Sequence, residues 1–304
     1  MKKLSFFTIA TLFAMGCMAQ KPVELRMSLQ KGQVFKQEMQ MNMKIKVETQ
    51  GMKIDTEMPF EALISYKVTN NKNKNFILKV SYDAMKMKFN LTGMDFSFDS
   101  SEAKPNADNP VADVLSGLIG KHFLMTVNEL GNVVKIEGLD KILNAALDKK
   151  QFTKEQRKQM QVALAGIFSE DKIRDNFSSS SLVFPKAPVT KGYSWKSDEE
   201  QELQGIKMNV SNTYIIENIT PENVLVSCES TFKMNGDISK GEKNTKVYVN
   251  DSKSTSSYIV DLKTGWTKDT KSMMSLVMKI VIQQNDTEMT VPMEMSVDIY
   301  VKSY

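Results

Sequence analysis

From Met39 to Val47 the chain alternates apolar and polar residues at every step, Met-Gln-Met-Asn-Met-Lys-Ile-Lys-Val. The same period returns at Met289, Val291, Met293, Met295, Val297, Ile299 and Val301. Alternation over such lengths predicts long antiparallel strands, each with one wet and one packed face. Phe60, Ala62, Ile64, Tyr66 and Val68 follow it too, as do Phe76, Leu78, Val80 and Tyr82. The phase then slips to Met85, Met87, Phe89 and Leu91, which predicts a bulge near Ala84. Met94, Phe96 and Phe98 resume the first phase, and Gly131 and Gly265 mark two further hairpin turns.

The strands repeat. Tyr66 to Val80 aligns without gaps on Tyr214 to Cys228, matching Asn70 with Asn218 and Asn75 with Asn223. Upstream, Lys31-Gly32 with Phe35-Lys36 matches Lys191-Gly192 with Trp195-Lys196, and Gln50-Gly51 matches Gln204-Gly205. The first copy is longer by six residues on each side of its Gly51 turn. Equal, even insertions lengthen both arms of a hairpin and keep every side chain on its own face. The lengthened hairpin is expected to project about 20 Å beyond its counterpart at ~3.3 Å per residue.

Helical spacing is confined to the middle. Val111, Val114, Leu115 and Leu118 form one stripe after Asn109-Pro110, and Leu139, Ile142, Leu143, Ala146 and Leu147 form another after Gly138. Thr153 with Gln156 makes a capping box for a helix from Lys154 to Phe168. The expected fold is therefore a β-dominated α+β: two pseudo-repeated antiparallel meanders forming a curved sheet, partial barrel or sandwich, with a central helical segment packed on it. The divisions are a signal peptide at 1–19, a first β repeat at 20–100, a helical segment with a β-hairpin near 123–137 at 101–181, and a second β repeat at 182–304.

Lys2 and Lys3, an apolar run from Leu4 to Met15 and a small-residue cleavage site at Cys17-Met18-Ala19 read as an export signal. The product is then periplasmic or extracellular. The alternative is an outer-membrane lipoprotein, since Ala14-Met15-Gly16-Cys17 matches a bacterial lipobox in which Cys17 is acylated. No later segment is long and apolar enough for a transmembrane helix. Cleavage removes two of the 40 basic residues, leaving 38 against 36 acidic ones, and that balance points away from nucleic acid as a partner. Cys228 would then be the lone thiol, which rules out a disulfide scaffold.

Catalytic signatures are scarce. His122 is the single histidine, and no nucleophile elbow, phosphate loop or dinucleotide fingerprint occurs. His122, at the start of a strand, reads as a hydrogen-bonded structural imidazole, and Cys228 as a small core residue. Asp95, Asp99, Glu102 and Asp108 lack the ordered spacing of a calcium loop and read as solvated. The 22 methionines are the anomaly. Thioethers suit Cu(I), but alternate residues of one strand cannot surround an ion, so no metal or cofactor is expected. Adaptable core packing comes first, and a plastic apolar pocket second. The residues that would line such a pocket are Met39, Met41, Met43, Met85, Met87, Met293 and Met295.

The leader ending Ala19-Gln20, the opening Val23-Glu24-Leu25-Arg26-Met27-Ser28-Leu29-Gln30-Lys31-Gly32 and the Met-rich strands resemble a family of exported Bacteroidota proteins of unknown function, about 300 residues long. The resemblance implies a periplasmic or surface location and carries over no functional residue. Three functions compete: a non-enzymatic envelope protein binding an apolar small molecule, a structural or protein-interaction module of the envelope using the long hairpin, and an unrecognised carboxylate-based hydrolase.

Overall fold

The computed structural model describes residues 21–49, 51–91, 94–102, 110–148, 152–203, 206–234, 237–238, 244–284 and 287–304. The leader with Cys17, the Gln50 and Gln204-Gly205 turn residues and Asp108 lie outside the described residues.

The first set of strands is β1 (Val34–Thr49), β2 (Met52–Lys72), β3 (Asn75–Leu91), β4 (Met94–Asp99), β5 (His122–Asn128) and β6 (Val133–Glu137), with α1 (Pro110–Ser116) between β4 and β5. Then come α2 (Leu139–Asp148), α3 (Lys154–Phe168) and α4 (Glu170–Ser180). The second set is β7 (Ser194–Leu203), β8 (Ile206–Ile219), β9 (Asn223–Met234), β10 (Asp237–Ile238), β11 (Asn244–Asp261), β12 (Thr267–Gln284) and β13 (Thr287–Ser303). All pair antiparallel in one open, curved sheet, in the order β6-β5-β3-β2-β1-β13-β12-β11-β9-β8-β7, with β4 beside β3 and β10 beside β11. It is neither a closed barrel nor a two-sheet sandwich.

The two sets share their central pairings. Phe35 pairs with Tyr66 and Tyr66 with Val80; Trp195 pairs with Tyr214 and Tyr214 with Cys228. One-residue bulges fall at matching places, between Val68 and Asn70 and between Ile216 and Asn218. The next hairpins open alike: Asn128 Oδ1 accepts the N–H of Leu130 at 3.0 Å, and Asp261 Oδ1 that of Lys263 at 3.1 Å. These short polar side chains mimic a backbone turn. The expected bulge sits at Asp83, where Leu63 pairs with Ala84 and Ile64 with Tyr82.

Three expectations need correction, and one helix is an addition. The long β1–β2 hairpin is no free arm, because β13 pairs along it from Gln37–Ser303 to Val47–Met293. The first helix stops at Ser116, short of Leu118, the last residue of its expected stripe. His122 begins β5 as expected, but it is exposed there, which corrects the reading of a structural imidazole. A separate helix, α4, was not foreseen: it carries little apolar surface, burying only Ile173, Phe177 and Ser180. The α3 capping box is present, with Gln156 N–H on Thr153 Oγ1 at 3.2 Å and Thr153 N–H on Gln156 Oε1 at 3.0 Å.

The main core lies where the helices and the segments leading into β1 and β7 pack on the inner face. Leu25, Met27 and Leu29 are buried there with Phe168, Phe177 and Trp266. Met27 N–H donates to the Glu129 carbonyl and Ser28 N–H to the Thr264 carbonyl, each at 2.8 Å. Adjacent residues thus touch turns that the sheet order separates by four strands, so the sheet must bend strongly around this end. At Gly265 (φ +69°) the Arg26 carbonyl packs directly on the turn, where a Cβ would collide with it.

Candidate functional site

The predicted methionines divide between two places on one face. Met85 and Met87, opposite Ala62 and Phe60, are buried in the main core. Met39 borders a void of about 30 Å³ beside Ile64 and Tyr66. Met41, Met43, Met293 and Met295 belong to a second apolar cluster farther along the strands, centred on Val247, Leu276, Met278, Met295 and Val297. Register explains the meeting: Met41 faces Ile299, Met43 faces Val297, Ile45 faces Met295 and Val47 faces Met293.

This second cluster differs from the first in what covers it. Its members come from β1, β9, β11, β12 and β13, and among the described residues no helix contributes. Met41, Met43, Ile45, Met274 and Met293 are only partly buried. The opposite face is charged, with Lys36, Lys44, Lys46, Glu57, Glu61 and Lys302 all exposed. The inner face is therefore an apolar trough, half roofed by helices and half bare of them; in the bare half Val247, Leu276, Met278, Met295 and Val297 are buried by their neighbours, and the rim around them is partly open. A larger hollow of about 390 Å³ lies between Glu38, Glu61, Lys86 and Asp99, but it opens widely on the charged outer face and lacks the enclosure of a ligand site.

Where the roof ends, α4 bridges the two sets of strands. Arg174 Nη1 donates to the Val133 carbonyl of β6 at 2.7 Å, and Thr270 Oγ1 of β12 donates to the Ser180 carbonyl at 2.9 Å. On its second-repeat side α4 leaves a cavity of about 220 Å³. Asp175, Ser178 and Ser179 of α4 face Asn212, Ser230, Ser254, Ser256 and Ser272 of the sheet across it, with Glu199 at one side. Phe232, Met274, Val297 and Ile299 line the same cavity and are also members of the second cluster, so the cavity and the trough are continuous. Burial raises the Asp175 carboxyl above its ordinary range, against the opposing pull of Lys172 at 3.6 Å. Burial likewise raises the Cys228 thiol, which sits in the core beside Tyr214 and has the inert setting of a packing residue.

These hydroxyl and amide residues were missed in the sequence. The signal was present: Ser252, Ser254 and Ser256 occupy the inward phase of β11, between Val249 and Tyr258. Polar residues at positions the period assigns to the core mark a buried polar surface.

Residues 73–267 match a sequence family described as Family of unknown function (DUF6263). No protein of curated function matches the chain. Among solved structures, the COG4313 outer membrane channel from Pseudomonas putida F1 is 6% identical, with 91% of this chain and 97% of that one covered, at a TM-score of 0.20. OccAB4 of Acinetobacter baumannii is 8% identical, with 90% and 99% covered, at 0.21. OccK1 (OpdK) of Pseudomonas aeruginosa is 5% identical, with 89% and 99% covered, at 0.22. Scores this low carry no conclusion about fold or function.

Proposed function

The chain belongs to the Family of unknown function (DUF6263), and from its inner face we propose that it is a non-enzymatic binding protein that takes an apolar chain into the bare half of the trough. One observation carries this: a cluster of Leu, Val, Ile, Met and Phe side chains from five strands over which no described helix packs. Its rim side chains, among them Met41, Met43, Ile45, Met274 and Met293, are only partly buried; apolar surface left to water forfeits roughly 25 cal/mol for each Å² it fails to bury, and an alkyl chain laid along the rim recovers that loss. Thioethers suit the task, since methionine adapts its shape to a variable ligand. Met41, Met43, Met293 and Met295 are the residues assigned to contact the chain, with Met39 at its inner end. Met85 and Met87 act from the core behind it. The export signal read at residues 1–19 would put this activity in the periplasm or outside the cell.

The test is a chain-length series of alkyl ligands titrated into the purified protein with N-phenyl-1-naphthylamine as the displaced fluorescent probe. Each methylene moved out of water is worth about 0.8 kcal/mol, so two should tighten binding roughly tenfold until the trough is full. Met43→Glu together with Leu276→Glu should abolish probe binding. A protein that takes up neither the probe nor any alkyl ligand would refute the assignment.

A further inference from the structure

The cavity beside α4 occupies a place that the first repeat fills. By strand pairing, Ile64, Tyr82 and Phe123 of the first repeat correspond to Asn212, Ser230 and Ser256 of the second: Ile64 pairs with Tyr82 as Asn212 does with Ser230, and Val80 pairs with Phe123 as Cys228 does with Ser256. In the first repeat these three side chains close on Ile173 and Phe177 of α4 and leave only about 30 Å³. In the second, a small polar residue stands at each position and about 220 Å³ remains. One frame has been built twice, packed solid on one side of α4 and hollow on the other.

The hollow is equipped for hydrogen bonding. Ser230 Oγ donates to Asn212 Oδ1 at 2.6 Å, and Ser256 Oγ donates to Ser272 Oγ at 2.8 Å, which leaves the Ser272 hydrogen free to point elsewhere. Ser254 is only 7% exposed and lines the cavity. Asn212, at 8% exposure, is also buried there. Among the described residues no Lys, Arg or His lines the space; the two charges that do, Glu199 and Asp175, are carboxylates, and Asp175 already has Lys172 beside it. Such a lining repels an anionic group. It offers an uncharged polyol both the donors and the acceptors it needs.

We propose that this cavity is the head-group pocket of the apolar trough, and that the ligand is an amphiphile with an uncharged polyhydroxyl head. The proposal rests on the apolar-chain assignment above, because the cavity's inner wall of Phe232, Met274, Val297 and Ile299 is the edge of that trough. The polar end of the ligand lies against α4 and its tail runs outward along β13 and β1.

The experiment compares decyl β-glucoside, decyl sulfate and decyltrimethylammonium by isothermal titration below their micelle concentrations. The glucoside should bind about tenfold tighter than either ionic ligand, the worth of one or two net hydrogen bonds. Rebuilding the first-repeat filling with Asn212→Ile, Ser230→Tyr and Ser256→Phe should bring the three ligands together while the probe still binds. Should that triple variant fail to fold, Ser254→Ala and Glu199→Gln should each reduce the glucoside preference about threefold, and an unchanged preference in both overturns the proposal. Equal binding of all three ligands to the unaltered protein, or tighter binding of an ionic one, also overturns it and leaves the trough assignment standing. Failure of every decyl ligand to bind removes the trough assignment itself.

Discussion

Gln37 is fully buried on the packed face of β1, and neither end of its amide finds a partner among the described residues. Across the strand, the Ser303 hydroxyl is equally unpaired. Leaving a buried amide without hydrogen bonds costs about 1–3 kcal/mol. Gln37→Met, similar in shape and apolar, should therefore raise the urea midpoint by an amount worth about 1 kcal/mol; a lower midpoint would mean that the amide is satisfied after all. Asp261 makes the opposite case. Burial opposes its charge, but hydrogen bonds from Lys268 and Thr264 outweigh it and hold the carboxyl below its usual range. A lowered folded-state pKa stabilises the protein above the unfolded value near 4 and is lost as the pH falls through the folded one. Asn128 makes the equivalent turn without a charge. Asp261→Asn should thus keep the turn, cost under about 1 kcal/mol at pH 7, and show no deficit at about pH 2, measured by chemical unfolding at both.

Among the elements, the long hairpin decides most. Deleting Asn42–Val47 and Ile54–Pro59 removes equal, even lengths and reproduces the arms of β7 and β8 while preserving every face. The main core contains none of these residues, so the protein should stay folded. However, β13 would lose its partners from Met293 to Asp298, and the second cluster would lose Met43 and Ile45. Exposed strand edges recruit other strands. Light scattering should therefore find dimers or larger species, and the alkyl probe should no longer bind. A well-behaved monomer that still binds it would contradict both roles. The hairpin's length was legible in the sequence because each arm pairs with its chain neighbour, so alternation and turn residues carry the register. Its lateral contact with β13 was not, because nothing local in Met39–Val47 records a partner some 250 residues away. The α3 cap was readable for the same local reason. Helix α4 was missed although Ser169 caps it and Glu170 and Asp171 open it, because Ile173 and Phe177 are the only large apolar side chains it buries and make too short a stripe to read.

At the scale of the whole molecule, polarity runs from a charged outer face to an apolar inner one. A strand barrel facing lipid has the reverse arrangement, with an apolar band outside and polar groups within. The candidate site follows from this inversion combined with an incomplete roof. The repeat supplies two similar half-sheets, and α1 to α4 are enough to cover only part of the face they jointly make. The seam joining the halves has a temporal consequence. β1, the first strand, acquires its second neighbour only when β13, the last, pairs with it from Gln37–Ser303 to Val47–Met293. Local hairpins close in microseconds, whereas pairing across so long a loop is slow. Until β13 has been made and paired, the chain must carry an open β1 edge, and only that pairing turns two separate meanders into one continuous sheet with a single inner face.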